Sequence, residues 1–161
     1  HVDSMDLLNE QIKKEAHSSS IYLAMAFLCD QNALTNSASF FYDQATEERE
    51  HMMKIFKFIN DNGGIAYSPE VSNINHDYNS LRAVFEKALD QEIAISKSIH
   101  NIVLRCRKIQ DLNTEYFMQW FIQEQMEEEQ TIRRALDLFD LMETEGLGLK
   151  LIDERIAQIR K

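Results

Sequence analysis

Residues 39–61 read SFFYDQATEEREHMMKIFKFIND, and the spacing of their apolar side chains decides the architecture. Phe41, Ala45, Met52, Ile55 and Ile59 recur at three- and four-residue intervals, which places them in one stripe along a helix. Glu48 falls inside that stripe, where an apolar residue belongs, and His51 follows one turn later on the same side. Two metal-ligand types therefore share a face. Taken alone, Glu48-x-x-His51 occurs by chance in many helices, more often as a surface pair than as a metal site.

The same periodicity runs through four long segments, about 4–30, 34–61, 78–108 and 112–143, and a shorter one at about 147–160. Ser4 and Thr35 are the expected N-caps of the first two helices. Asn62-Gly63-Gly64 stops the second, and Gly146 with Gly148 separates the fourth from the fifth. The first and second helices, like the third and fourth, are joined by a few residues only, which forces antiparallel hairpins. Residues 62–77 could span about 50 Å at roughly 3.3 Å per residue. A thirty-residue helix is about 45 Å long at 1.5 Å per residue, so this linker can run the length of a bundle. The expectation is an all-α protein, a four-helix bundle with one long crossover and a short C-terminal fifth helix, folded as a single domain over residues 1–161.

Each of the four long stripes carries one glutamate near mid-helix. The first runs Leu8, Ile12, Glu15, Ser19, Tyr22, Ala26 and Cys29, and the third Leu81, Phe85, Ala88, Glu92, Ile95, Ile99, Ile102 and Cys106. The fourth runs Phe117, Phe121, Gln125, Glu128, Ile132, Ala135 and Phe139. A single such glutamate is commonly a boundary residue. Four at matched depth would repel one another in a dry core and cost several kcal/mol each unless protonated or bound to cations. Carboxylate oxygens with one imidazole suit iron or manganese better than structural zinc, so iron is the first candidate. Tyr22 lies two turns after Glu15, where it could bond a ligand or supply an electron, or serve as a core aromatic. Glu124, Glu127, Glu128 and Glu129 crowd one stretch of the fourth helix, ordinarily a solvated face. With Glu47 they could form an outer carboxylate patch and a third, weaker metal position. Trp120 and Met118 are assigned to packing, and His1, His17, His76 and His100 to solvent.

Twenty-seven acidic against seventeen basic residues give a formal charge of −10, which disfavours nucleic acid and anionic membranes as partners and suits attraction of cations. Cys29 and Cys106 are too far apart in sequence for a Cys-x-x-Cys motif and are expected to be reduced and buried. No basic region precedes an apolar run at the start, and no apolar stretch approaches a membrane span. A cytoplasmic protein is the expectation.

Asn9-Glu10-Gln11, Glu15 with Tyr22, Glu47-Glu48-Arg49-Glu50-His51 and the run Gln119–Glu129 resemble bacterial-type non-haem ferritin over essentially the whole chain. The resemblance implies an iron-storage subunit that oxidises Fe(II) to Fe(III) with O₂ or peroxide. It makes Glu15, Glu48 and His51 ligands of one iron, Glu48 the bridge, and Glu92 and Glu128 ligands of the other. Gln125 becomes a hydrogen-bonding neighbour, in place of the second histidine of related di-iron enzymes. Glu47, Glu124 and Glu127, with Glu128, become a third iron site. A hollow homo-oligomeric shell of twenty-four subunits, holding ferric mineral, is also implied by the resemblance alone.

A haem-binding relative would need methionine directly after Glu48, where Arg49 stands, so no haem is expected. A rubrerythrin-type peroxidase needs four cysteines for its extra iron module. A DNA-protecting mini-ferritin usually carries a basic tail, for which Arg160-Lys161 is too short. An iron-free shell subunit would have lost several of the ligands retained here. An oxygenase or radical-generating di-iron enzyme would carry a second Glu-x-x-His.

Overall fold

Five helices account for most of the chain in the computed structural model, which describes residues 1–160. They are α1 (Val2–Gln31), α2 (Thr35–Asp61), α3 (Leu81–Ile109), α4 (Leu112–Leu141) and α5 (Gly146–Ile156). Lys161, the last residue of the expected domain and of its Arg160-Lys161 end, lies outside the described residues. No strand occurs among the described residues, and none of their helices is long and apolar enough to cross a membrane.

Side-chain pairs between helices set the direction of each. Ser19 of α1 donates to the Ala45 carbonyl of α2 at 2.7 Å, and the Tyr22 ring stacks on Phe41, so residue numbers rise in α1 as they fall in α2. Gln11 with Ser98 and Ser18 with Gln91 give the same opposed sense for α1 and α3. Helices α2 and α3, both antiparallel to α1, are thus parallel to each other, and the chain must travel the length of the bundle between them. Gln125 against Glu92 and Arg107 against Glu115 make α4 antiparallel to α3. The expected single crossover is present.

That crossover is pinned early by Asn9, whose Nδ2 donates to the Ile65 carbonyl at 2.9 Å while its Oδ1 accepts from the Tyr67 amide at 3.0 Å. At Gly64 the chain passes so close to α1 that a Cβ would lie 2.8 Å from Met5 Sδ and 2.9 Å from Ile59 Cγ2. Only glycine fits there without displacing both neighbours.

Helix ends differ from expectation where tertiary partners supply the caps. Ser4 lies inside α1, buried, with its Oγ 3.8 Å from Cys106 Sγ, and the capping acceptor is His1 Nδ1 instead. Thr35 is the first residue of α2, which has no side-chain cap of its own. Asp153 of α5 replaces it: Oδ1 accepts from the Ser37 amide at 2.8 Å, and Oδ2 from Asn36 N at 3.3 Å and Asn36 Nδ2 at 3.2 Å. A carboxylate there satisfies orphan amides and complements the helix dipole. Ser80 caps α3, accepting from Ala83 N at 3.0 Å, so α3 starts at Leu81 rather than residue 78. Helix α4 stops at Leu141 and α5 at Ile156, both short of the expected ends.

Every apolar stripe residue named above is buried except Phe117, which is half-buried, as is the polar Ser19. Both cysteines are free and buried, as expected. The core divides into two clusters. One contains Tyr22, Phe40, Phe41, Phe85 and Phe139, and the other Leu8, Ile12, Ile55, Ile59, Ile99 and Phe121. Each large side chain fully withdrawn from water contributes about 1.5–3 kcal/mol, and the layer between the two clusters is where the glutamates lie.

Candidate metal centre

Glutamates at mid-helix of α1, α2, α3 and α4 meet at one level because the four helices pack antiparallel around the stripes that carry them. Glu15, Glu48 and Glu92 have no solvent exposure and Glu128 has 7%. Among the described residues, two groups bring three ligand atoms within 4.8 Å of one another: Glu15, Glu48 and His51, and Glu48, Glu92 and Glu128. Glu48 is the one residue common to both. The Glu-x-x-His spacing puts His51 Nδ1 3.6 Å from Glu48 Oε2.

Nearly all buried polar groups in folded proteins find a hydrogen bond; these do not. Both oxygens of Glu48, both of Glu92, Glu15 Oε2, His51 Nδ1, Gln125 Oε1 and the Tyr22 hydroxyl are buried without a partner. Burial, followed by the charges of Glu15 and Glu92, pushes the Glu48 carboxyl well above the usual carboxylate range. Glu92 rises for the same first reason, with Glu128 and Glu15 adding to it. Glu128 is pushed up to about 8 by burial, against which its bond from Gln44 acts. Tyr22 rises too, through burial and then Glu92, Glu48 and Glu128. Without cations, Glu48, Glu92 and Glu128 hold their protons more tightly than free carboxyls do. With cations, the layer's lone pairs and charges are both satisfied, and a set of hard oxygens with one imidazole fits iron.

Neighbours fix the ligands that do have partners. Gln11 Nε2 donates to Glu15 Oε1 at 3.1 Å; Ser98 Oγ donates to Gln11 Oε1 at 2.6 Å, and Lys14 Nζ to Ser98 Oγ at 2.8 Å. One Glu15 oxygen is thereby held and the other left open. Gln44 Nε2 donates to Glu128 Oε2 at 2.7 Å. Gln125 donates to the Glu92 carbonyl and to Ser96 Oγ, both at 3.2 Å. The His51 ring packs edge-on against both Trp120 and Phe121 at centroid distances of 5.5 and 5.9 Å. Trp120, expected only to pack, is 41% exposed, braces the imidazole and carries Lys54 Nζ 3.4 Å above its ring. Met118 is buried, His1, His76 and His100 are exposed, and His17 is half-buried.

The outer acids are arranged differently. Glu47 and Glu124 are partly buried and Glu127 is exposed. Among the described residues, none of the three belongs to a group of three ligand atoms within 4.8 Å of one another, and Glu47 Oε1 accepts from Arg160 Nη1 at 2.8 Å. Gln11, Gln44 and Arg160 carry roles that sequence reading did not assign. The two glutamines were visible in part, each one turn before a buried glutamate; nothing local marked Arg160. A surface cleft of about 590 Å³ between α1 and α3, lined by Lys13, Lys14, His17 and Lys87 among others, includes none of the four glutamates.

A model of the ferritin-like domain matches residues 5–142. The chain is 36% identical over 153 residues to a bacterial non-heme ferritin of Campylobacter jejuni, covering 95% of this chain and 92% of that one. It is 34% identical over 153 residues to a probable bacterial non-heme ferritin-like protein of Haemophilus influenzae, with 95% and 93% covered. An open-pore ferritin structure from the archaeon Archaeoglobus fulgidus matches with a TM-score of 0.94 at 28% identity, covering 100% of this chain and 98% of that one.

Proposed function

Because the chain belongs to the ferritin family of iron-storage proteins, we propose that it works as a single-domain subunit that oxidises Fe(II) at a di-iron centre inside its bundle. Glu15, Glu48 and His51 bind one Fe(II), and Glu48, Glu92 and Glu128 the other. The observation that carries this reading is Glu48, common to both groups and buried with neither oxygen partnered. A carboxylate with one oxygen for each cation is a bridge.

Two Fe(II) ions held side by side supply one electron each, enough to reduce O₂ by two electrons, with two protons, to hydrogen peroxide; peroxide can serve as oxidant in its place. Carboxylate oxygens favour the more highly charged Fe(III), which drives the oxidation. The chain's residues arrange this. Gln11 holds one oxygen of Glu15 and leaves the other for the cation, while Gln44 does the same at Glu128. Trp120 and Phe121 set the plane of the His51 ring. Tyr22, with its unpartnered hydroxyl in the aromatic cluster beside the layer, is placed to donate a hydrogen bond or an electron. Gln125 orients the second group through the Glu92 backbone and Ser96.

The ferric product then leaves past Glu47, Glu124 and Glu127, which with Glu128 form a third, outer iron position, and hydrolyses to mineral. A homo-oligomeric shell of twenty-four subunits in the cytoplasm encloses it.

Anaerobic loading with Fe(II) followed by air, read by ferric-oxo absorbance, tests the centre. Wild type is expected to oxidise rapidly and Glu48→Ala to be slower by about 100-fold or more, since the variant loses a ligand from both positions at once. Equal, slow oxidation in the two proteins would remove the buried layer as the active site.

A further inference from the structure

Lys13 and Lys14 are neighbours on α1, both exposed, and the fold uses them differently. Lys13 Nζ lies 2.9 Å from Glu10 Oε1, in an exposed pair on its own helix. Lys14 Nζ instead reaches across to α3 and donates to Ser98 Oγ at 2.8 Å. From there the bonds run inward. Ser98 Oγ donates to Gln11 Oε1 at 2.6 Å, and Gln11 Nε2 donates to Glu15 Oε1 at 3.1 Å. Gln11 and Glu15 have no solvent exposure. Consecutive bonds thus connect an ammonium at the surface to a carboxylate in the layer, and all of them point the same way.

That common direction has a cause. A primary amide can be turned over, which exchanges its oxygen and its NH₂. Turned over, Gln11 would set its oxygen against the Glu15 carboxylate and its NH₂ against Ser98. Ser98 alone does not prevent this, since a hydroxyl accepts as readily as it donates. Lys14 decides the matter. An ammonium has three donors and no acceptor, so Ser98 accepts from it, and the polarised hydroxyl turns its single hydrogen to Gln11. Gln11 is left with its NH₂ for Glu15, whose Oε1 is taken while Oε2 stays buried and unpartnered. We propose that Lys14 is a positioning residue for Glu15: from the surface it fixes the direction of the chain through Ser98 and Gln11, and thereby which oxygen of Glu15 is offered to a metal ion. The inference rests on the two-metal reading of the layer.

The test is anaerobic Fe(II) titration by calorimetry of wild type, Lys14→Met, Lys13→Met, Gln11→Ala and Lys14→Met/Gln11→Ala. Removing a positive charge near a cation position by itself tightens binding, so the sign of the change separates positioning from simple repulsion. Lys14→Met should weaken one of the two Fe(II) ions about fivefold, less than the roughly tenfold expected for Gln11→Ala, which touches the ligand directly. The melting temperature should move little, because Lys14 is exposed. Lys13→Met should show no weakening. In the Gln11→Ala background, Lys14→Met should cause no further weakening, since the chain is already cut. Unchanged or tighter binding in Lys14→Met overturns the role of Lys14 while leaving both metal positions standing. An equal weakening in Lys13→Met, or a Lys14→Met loss that persists in the Gln11→Ala background, also overturns it, because the lysine would then act by another route. Fewer than two tight ions in wild type sinks the two-metal reading and this inference with it.

Discussion

Glu47 and Glu48 are adjacent in sequence, yet the chain treats their carboxylates in opposite ways. Outside the layer, two neighbouring acids receive internal partners: Glu47 takes Arg160, and Glu129 takes Arg133 and Ser96. Inside it, no lysine or arginine among the described residues pairs with Glu15, Glu48, Glu92 or Glu128, and the only donors that reach them are the amides of Gln11 and Gln44. Uncompensated burial of this kind costs several kcal/mol per carboxylate. The chain gives Glu47 and Glu129 a counter-charge of their own and gives none to the four buried glutamates, as the proposed metal centre requires.

The widest gap between the two regions should open with pH. Glu128 is pushed up to about 8 from the ordinary 4.5, so the folded, metal-free protein holds this proton more tightly than the unfolded chain. Its contribution is fully present below about pH 4.5 and is lost as pH rises to about 8, on the order of 5 kcal/mol across that window. Melting curves of metal-free wild type should fall over that range relative to Glu128→Gln. Parallel curves would mean that Glu128 ionises freely. Next comes Glu92→Leu, which removes a buried like charge: the metal-free variant should gain about 2 kcal/mol, some 4–8 °C in melting temperature, while Fe(II) oxidation disappears. A variant that loses both would show that Glu92 has a structural partner. Gln11→Ala should weaken Fe(II) at the Glu15 and His51 position about tenfold in anaerobic titration, with the melting temperature nearly unchanged. Smallest is Arg133→Ala in the outer region, where an exposed pair one turn apart is worth under about 0.5 kcal/mol. A larger loss there would erase the contrast between the regions.

The bundle was legible because its signal is periodic and repeated: four stripes, each with its interruption at the same depth, predict both the core and the level at which glutamates meet. Helix ends were less so. Ser4 and Thr35 have the chemistry of caps, but Ser4 faces Cys106, and α2 takes its cap from Asp153, a partner 116 residues away that no local pattern reveals. The same reason separates the inner and outer acids. Glu15, Glu48, His51, Glu92 and Glu128 announce themselves by standing among apolar residues. Glu47, Glu124 and Glu127 sit in ordinary charged stretches, and the arginine that pairs with Glu47 lies 113 residues away. Trp120 packs, as its aromatic character suggests, and its place against His51 follows only from how α2 and α4 face each other.

The cap on α2 also orders events in time. Asp153 leaves the ribosome 116 residues after Ser37, a delay of roughly 6–23 s at about 5–20 residues per second. Until then the helix that carries Glu48 and His51 lacks an anchor worth about 1 kcal/mol at its first turn. The nascent chain thus carries Glu48 and His51 on a helix not yet fastened at its first turn, and completes the fastening only when α5 has been made.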